Sequence, residues 1–192
     1  MITRLFNLLR GKISDTVSRP VRVDSSTHAL ETIEYEHHEI HSGNSFTVSD
    51  TVACSTTTVL WLITTPNSTK YAHMIFNLSS TGEATFLVTE GADRTTGAAL
   101  DEMNRNRVGT PTVATTTVLR GATGGSTNGA TTLLNIRNGI TNVGGKNVEG
   151  GAIRSSNEWI LKPNTKYVIS ITTYAAVYAS ILLNWYEHTN KN

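Results

Sequence analysis

The chain contains 192 residues with a formal net charge of +1, and 16% of its residues are charged. This balance lacks the strongly basic composition of nucleic-acid-binding proteins, and no run of 18 or more apolar residues predicts a transmembrane helix. The single cysteine, Cys54, cannot form an intramolecular disulfide. The sequence has 31 threonines and 16 asparagines, which favour strands joined by polar turns. We therefore expect an all-β protein that folds without disulfide, metal or cofactor.

The first 26 residues are predicted to form an N-terminal arm. Five apolar residues follow a helical period at offsets of 0, 3, 4, 7 and 11, namely Ile2, Leu5, Phe6, Leu9 and Ile13. Residues 14–26 contain Arg19-Pro20 and predict an extended connector, because proline disfavours helix at the residue before it. The short amphipathic helix could pack on its own domain, dock on a partner or lie on a membrane surface. We expect it to bind a partner.

Residues 27–192 have the pattern of one β-sandwich or jelly-roll-like domain. Short runs of β-branched and aromatic residues alternate with turn residues. Strands are predicted near residues 28–41, 45–53, 56–65, 71–78, 84–89, 159–161, 167–172 and 180–186. Two long loops are expected, at about 91–112, with at most a short helical turn at 98–103, and at about 121–151, which is glycine-rich and predicts a strand pair.

The densest group of titratable residues occupies positions 34–41. On the predicted strand, His37, Glu39 and His41 would share one face, because side chains alternate with period two. Such a face can hold a metal ion, but no further ligand completes a set and the H-E-x-x-H pattern is absent. We therefore predict a polar subunit contact here and no metal site.

Residues 104–107 place two arginines between two asparagines. The planar guanidinium groups of Arg105 and Arg107 could clamp a carboxylate on a neighbouring subunit. The alternative is a solvated polar loop. We include both arginines in the predicted subunit contact.

The catalytic motifs that we considered are absent from this sequence. The lysine of the run Gly144-Gly145-Lys146-Asn147 lacks the Ser or Thr that follows it in a phosphate-binding loop. A G-x-S-x-G nucleophile motif is also absent. Glu149 and Glu158 could meet as a glycosidase pair, but their spacing gives no support. We expect no catalytic residue and no enzyme activity.

Four short segments, in this order, are similar to segments of small virion proteins of tailed bacteriophages. They are residues 40–46 (IHSGNSF), 104–107 (NRNR), 161–167 (LKPNTKY) and 184–188 (NWYEH). The chain thus resembles capsid decoration, or cement, proteins over roughly residues 28–188. The resemblance supplies no pattern for the arm, whose assignment rests on its amphipathic period alone.

The resemblance implies a β-sandwich or jelly-roll, often a homotrimer, seated on the outside of a phage head where it bridges subunits of the major capsid protein. It implies a location on the virion after assembly in the host cytoplasm. Binding to nucleic acid or membrane is not expected. The alternative is a receptor- or carbohydrate-binding module of a phage tail or fibre, which would present Trp159, Tyr174, Tyr178 or Trp185 to a sugar.

Overall fold

The computed structural model describes residues 10–12, 18–20, 35–126, 130–139 and 158–189. The chain forms two compact units, Met1–His38 and Glu39–Asn192. In the first, strands β1 (Arg10–Lys12) and β2 (Ser18–Pro20) pair antiparallel. The helix predicted over residues 2–13 is therefore wrong for residues 10–12, where Gly11 disfavours helix by about 1 kcal/mol relative to alanine. The remainder of that predicted helix lies outside the described residues.

Helix α1 (Tyr35–His41) replaces the strand predicted over residues 28–41 in the part that is described. Its end is set by Gly43, which adopts a left-handed conformation with φ of 76°. The amide of Gly43 donates to the carbonyl of Ile40, and the amide of Asn44 donates to that of Glu39. These two bonds form a Schellman motif, which satisfies the last carbonyls of a helix.

The second unit is a sandwich of two antiparallel sheets, which confirms the predicted all-β fold. The six-stranded sheet has the order β10-β6-β12-β4-β9-β7, and the five-stranded sheet has the order β11-β5-β13-β3-β8. The strand bounds are β3 Ser45–Ser55, β4 Thr58–Thr64, β5 Lys70–Ser80, β6 Ala84–Glu90, β7 Thr96–Ala99, β8 Met103–Asn104, β9 Thr117–Thr123, β10 Thr131–Asn138, β11 Glu158–Ile160, β12 Lys166–Thr173 and β13 Ala176–Thr189.

Eight of these strands have the topology of a jelly roll. One sheet contains the order β11-β5-β13-β3 and the other contains β10-β6-β12-β4. From β3 to β6 and again from β10 to β13, successive strands change sheet, with β6 and β10 adjacent in the same sheet. This is the double Greek key of a jelly roll. The remaining strands, β7, β8 and β9, form an insertion between β6 and β10.

The core lies between the two sheets and follows from strict alternation along the strands. In β3, apolar Phe46 and Val48 point inward, between outward Ser45, Thr47 and Ser49. The opposite sheet contributes further fully buried side chains, including those of Trp61, Ile63, Tyr167, Ile169 and Ile171. Each buried side chain of this size contributes about 1.5–3 kcal/mol relative to an exposed one.

The insertion between β6 and β10 corrects two predictions. Residues 98–103 contain no helical turn, because Thr96–Ala99 forms β7 and Met103–Asn104 forms β8. The segment at 121–151 does not form the predicted strand pair in its described part, since β9 pairs with β4 and β7 whereas β10 pairs with β6. The insertion thereby extends one edge of both sheets, with β9 beside β4 and β8 beside β3.

Candidate docking surface

The segment between β8 and β9 forms an exposed loop, which we call the docking loop (residues 105–115). Val108 is 87% exposed and Val113 is 81% exposed, the two most exposed large hydrophobic side chains in the described part of the chain. Arg107 is exposed beside them. Two such valines and an exposed arginine on one loop make it the candidate docking surface in the described part of the chain.

Two asparagines fasten the first half of the docking loop. The side-chain amide of buried Asn104 donates to the carbonyls of Gly43 and Thr112, at 2.8 and 2.9 Å. Its oxygen accepts the amide proton of Asn106, and the side-chain oxygen of Asn106 accepts that of Val108. These i to i+2 bonds are two successive Asx turns, which hold the backbone in one conformation.

A buried carboxylate fastens the second half of the docking loop. Glu187, on β13, accepts hydrogen bonds from the amides of Thr115 and Thr116, the hydroxyl of Thr115 and the indole nitrogen of Trp185. The side chain is only 4% exposed, so these donors replace the water that a carboxylate otherwise requires. The loop is thus anchored at both ends while its tip faces solvent.

Both predicted arginines lie on the docking loop but differ in exposure. The backbone amide of Arg105 donates to the carbonyl of Ser45 at 2.8 Å, and its guanidinium lies 3.4 Å from the Ser45 hydroxyl. Arg105 is half-buried at the base of the loop, whereas Arg107 is exposed at its tip. Arg107 is therefore the better placed of the two to reach a neighbouring molecule.

The predicted shared face of His37, Glu39 and His41 is wrong for Glu39, whereas His37 and His41, four residues apart on a helix, do lie on one face. Their role in a subunit contact stays a prediction. All three residues lie on α1, where positions two apart point in nearly opposite directions. Glu39 is buried and accepts hydrogen bonds from Ser42 and Asn44, while His37 and His41 are exposed. Of the three, His41 is linked to the docking loop, because its carbonyl accepts a hydrogen bond from the Asn106 side chain.

The arm residues proposed for partner binding lie outside the described part of the chain. They are Ile2, Leu5, Phe6, Leu9 and Ile13. Their role stays a prediction.

The four aromatic residues considered for sugar binding do not form a common platform. Trp185 is buried, and the guanidinium of Arg137 lies 4.4 Å from the ring centroid of Tyr174. Trp159 pairs with inward-facing Met74, whereas Tyr178 lies on the outward face opposite Ala53. Measured along β5, the position opposite Trp159 and the position beside Tyr178 are about seven residues apart, a separation of roughly 23 Å. One sugar ring could not bridge them.

A compact polar cluster lies on the outer face of the five-stranded sheet. Glu158 accepts a hydrogen bond from the Tyr186 hydroxyl at 2.7 Å and lies 3.0 Å from Nδ1 of His73. The rings of His73 and Tyr186 stack with centroids 4.7 Å apart.

Across the described residues, no group of three or more His, Cys, Asp or Glu side chains is arranged to hold a metal ion. The described part also contains no helix long and apolar enough to cross a membrane.

Comparisons with family models, curated proteins and solved structures find no match to this chain. The docking loop is therefore identified from its geometry alone. The sequence contained a signal for Asn104 and Asn106, since Asn-x-Asn spacing suits successive Asx turns. It contained none for Glu187, whose main donors lie 71 and 72 residues away along the chain.

Proposed function

We propose that this chain is a non-enzymatic structural protein that docks on a larger protein assembly through the docking loop. Following the resemblance to decoration proteins, we propose that the assembly is the outer surface of a tailed-phage capsid and that the partner is the major capsid protein. The observation that carries docking is a loop fastened by Asn104 and Glu187 that presents Val108 and Val113 to solvent.

The anchored loop lowers the free-energy cost of binding. A partner that buried Val108 and Val113 would gain about 1.5–3 kcal/mol from each side chain. A mobile loop would lose part of that gain when it became ordered, but this loop is already held at both ends. Exposed Arg107 adds a planar donor for a carboxylate or carbonyl at the edge of the contact.

Docking of this kind stabilises a capsid without chemistry. A protein that binds the assembled lattice, and not the free capsid subunit, shifts the equilibrium towards the lattice by mass action. Its effect grows with its concentration and affinity. The jelly-roll core supplies a rigid base for the loop.

The test is co-sedimentation of purified protein with capsids of the phage that carries its gene. Val108→Asp and Val113→Asp should each weaken binding at least tenfold, because each places a charge in an apolar contact. Ile136→Asp is the matched control, since Ile136 is also an exposed apolar residue but lies on β10, at the opposite edge of the six-stranded sheet from β9. It should bind as the wild type does.

Wild-type binding by both valine variants would refute the role of the docking loop. A wild-type protein that fails to bind capsids, or that is present in only a few copies in the virion, would refute the capsid role. Deletion of residues 1–9 tests the arm separately and keeps the paired strands β1 and β2. If only that variant loses binding, the arm and not the loop is the docking element.

A further inference from the structure

The outer face of the five-stranded sheet has an unusual composition. Its three long strands are β5, β13 and β3, adjacent in that order. Their outward residues are Tyr71, His73, Ile75, Asn77, Ser79, Ala176, Tyr178, Ser180, Leu182, Asn184, Tyr186, His188, Ser45, Thr47, Ser49, Thr51, Ala53 and Ser55. Lysine, arginine, aspartate and glutamate are absent from these outward positions of the three strands. Charge depletion of this kind marks the centre of protein interfaces.

The middle of this face presents one exposed leucine among uncharged polar residues. Leu182 lies on the central strand, opposite Ser49 on one side and Asn77 on the other, and is 43% exposed. Exposed Tyr178 lies on the same strand and face, separated from Leu182 by Ser180, and exposed Met103 lies opposite Thr47 on β8. The residues directly opposite Leu182 on both sides are polar and smaller than leucine.

Charged residues border this face at both edges, Glu158 on one side and, on the other, Arg105, whose guanidinium lies 3.4 Å from the hydroxyl of buried Ser45. Glu158, at the edge strand β11, binds the Tyr186 hydroxyl and contacts His73 within the same face. The outer face of the six-stranded sheet differs, since it carries Lys166 and Arg137 and is partly covered by the insertion.

The face is large enough for a specific contact. Strands β3 and β5 each contain 11 residues. At about 3.3 Å per residue and about 4.8 Å between strands, three such strands cover roughly 500 Å². Two copies pressed together would bury about 1,000 Å² or more, near the lower limit for a specific protein interface.

We infer that this face is a contact between two copies of the chain, packed face to face about a two-fold axis. A two-fold contact places the same surface on both partners. A face with fixed charges at its centre would bring like charges together or require a precise offset, whereas this face carries its charged residues, Glu158 and Arg105, only at its edges. Packing of sheet on sheet is the geometry by which two such faces would meet. This contact uses a different surface from the docking loop and does not depend on capsid binding.

Light scattering over a range of protein concentrations tests this inference in the absence of capsids. We expect the full-length chain to form a dimer at micromolar concentration. Leu182→Asp should weaken dimerisation at least a hundredfold, because the two-fold axis brings the new charge into the contact twice. Ser49→Lys is a second variant at an exposed position, and it should weaken dimerisation without disturbing the core. Ile136→Asp is the control and should dimerise as the wild type does.

Three results would overturn the inference. They are a wild-type chain that stays monomeric at micromolar concentration, a wild-type trimer of the kind that the family resemblance implies, and undiminished dimerisation of the folded Ser49→Lys variant. Thermal unfolding of each variant confirms that it is folded before its mass is measured, so that Ser49→Lys decides the question if Leu182→Asp fails to fold.

Discussion

Each outer face of the sandwich carries an outward-pointing leucine, and the two leucines differ in their exposure to solvent. On the six-stranded sheet, outward Leu62 is 1% exposed, because it packs with Val168 against Ala92 and Ala122 of the insertion. On the five-stranded sheet, outward Leu182 is 43% exposed. The first face has become a second small core, whereas the second leaves its leucine exposed among uncharged polar residues.

This difference separates apolar residues that stabilise the fold from those that serve interactions. A sheet buries one face against its partner sheet, and the opposite face requires a cover, water or another chain. Here the insertion covers one face, and Glu187 anchors it in addition to the pairing of β8 with β3 and of β9 with β4. The following substitutions test that division, from the largest expected effect to the smallest.

Glu187→Ala should lower the free energy of unfolding by about 3–5 kcal/mol, since it leaves four donors without their charged acceptor. The amides of Thr115 and Thr116 should also exchange faster with solvent, because the insertion loses its anchor. Denaturant unfolding and hydrogen exchange measure the two effects. Asp101→Asn, at an exposed carboxylate, should change stability by less than about 0.5 kcal/mol. A small effect of Glu187→Ala would show that strand pairing and apolar contacts hold the insertion without this carboxylate.

Leu62→Ala and Leu182→Ala compare the two faces with the same substitution. Leu62→Ala should cost about 2–4 kcal/mol, because it leaves a cavity in the second core. Leu182→Ala should cost less than about 1 kcal/mol in dilute solution. Chemical unfolding of both variants at low protein concentration gives the comparison. Equal losses would mean that the outer face of the five-stranded sheet is part of the fold and not a free surface.

Tyr167→Phe tests a buried hydroxyl at the end of β12. The Tyr167 oxygen accepts the amide proton of Lys162 at 2.8 Å and lies 3.1 Å from a carboxylate oxygen of Glu90. Burial, the largest cause, raises the pKa of Tyr167 above its ordinary value near 10. The unfolded chain therefore loses this proton first, so stability is complete below about pH 10 and declines as the pH rises further.

The phenylalanine variant should lose about 1 kcal/mol at neutral pH, because the Lys162 amide loses its acceptor. Its stability should also decline less steeply than that of the wild type above about pH 10. Thermal melts between neutral and alkaline pH measure both effects. Tyr178→Phe, at an exposed tyrosine on the other sheet, is the control, and an identical alkaline profile for the Tyr167 variant and the wild type would contradict the prediction.

Val108→Ser should have the smallest effect, a change of less than about 0.5 kcal/mol in the free energy of unfolding. Its side chain contributes little to the fold because it is almost fully exposed. Val118→Ala, in the core strand that follows the docking loop, should cost clearly more than this. Unfolding of the two variants under the same conditions gives the result. A large loss of stability in Val108→Ser would show that the side chain at the loop tip contributes to the stability of the fold.

The sequence predicted the β-strands well where apolar and hydroxyl residues alternate. Strands near 45–53, 71–78 and 84–89 were predicted within about two residues of the observed β3, β5 and β6. The prediction failed at residues 35–41, because a short helix closed by Gly43 resembles a polar strand followed by a turn. It also missed β7 and β8, whose short segments gain their pairing only from neighbouring strands.

The sequence by itself determined the fold class and the inward and outward residues of the long strands, because these depend on local alternation. The position of Asn104 and Asn106 in a turn was likewise contained in their spacing. Only the tertiary structure decided what covers the outward apolar residues. Leu62 lies in the continuous apolar run 59–63, which favours a strand covered on both faces, whereas Leu182 has polar outward neighbours, Ser180 and Asn184. Which distant segments cover Leu62 is visible only in the tertiary structure. The anchor at Glu187 belongs to the same class, since its donors at Thr115 and Thr116 lie 72 and 71 residues away along the chain and are brought to it only by the fold.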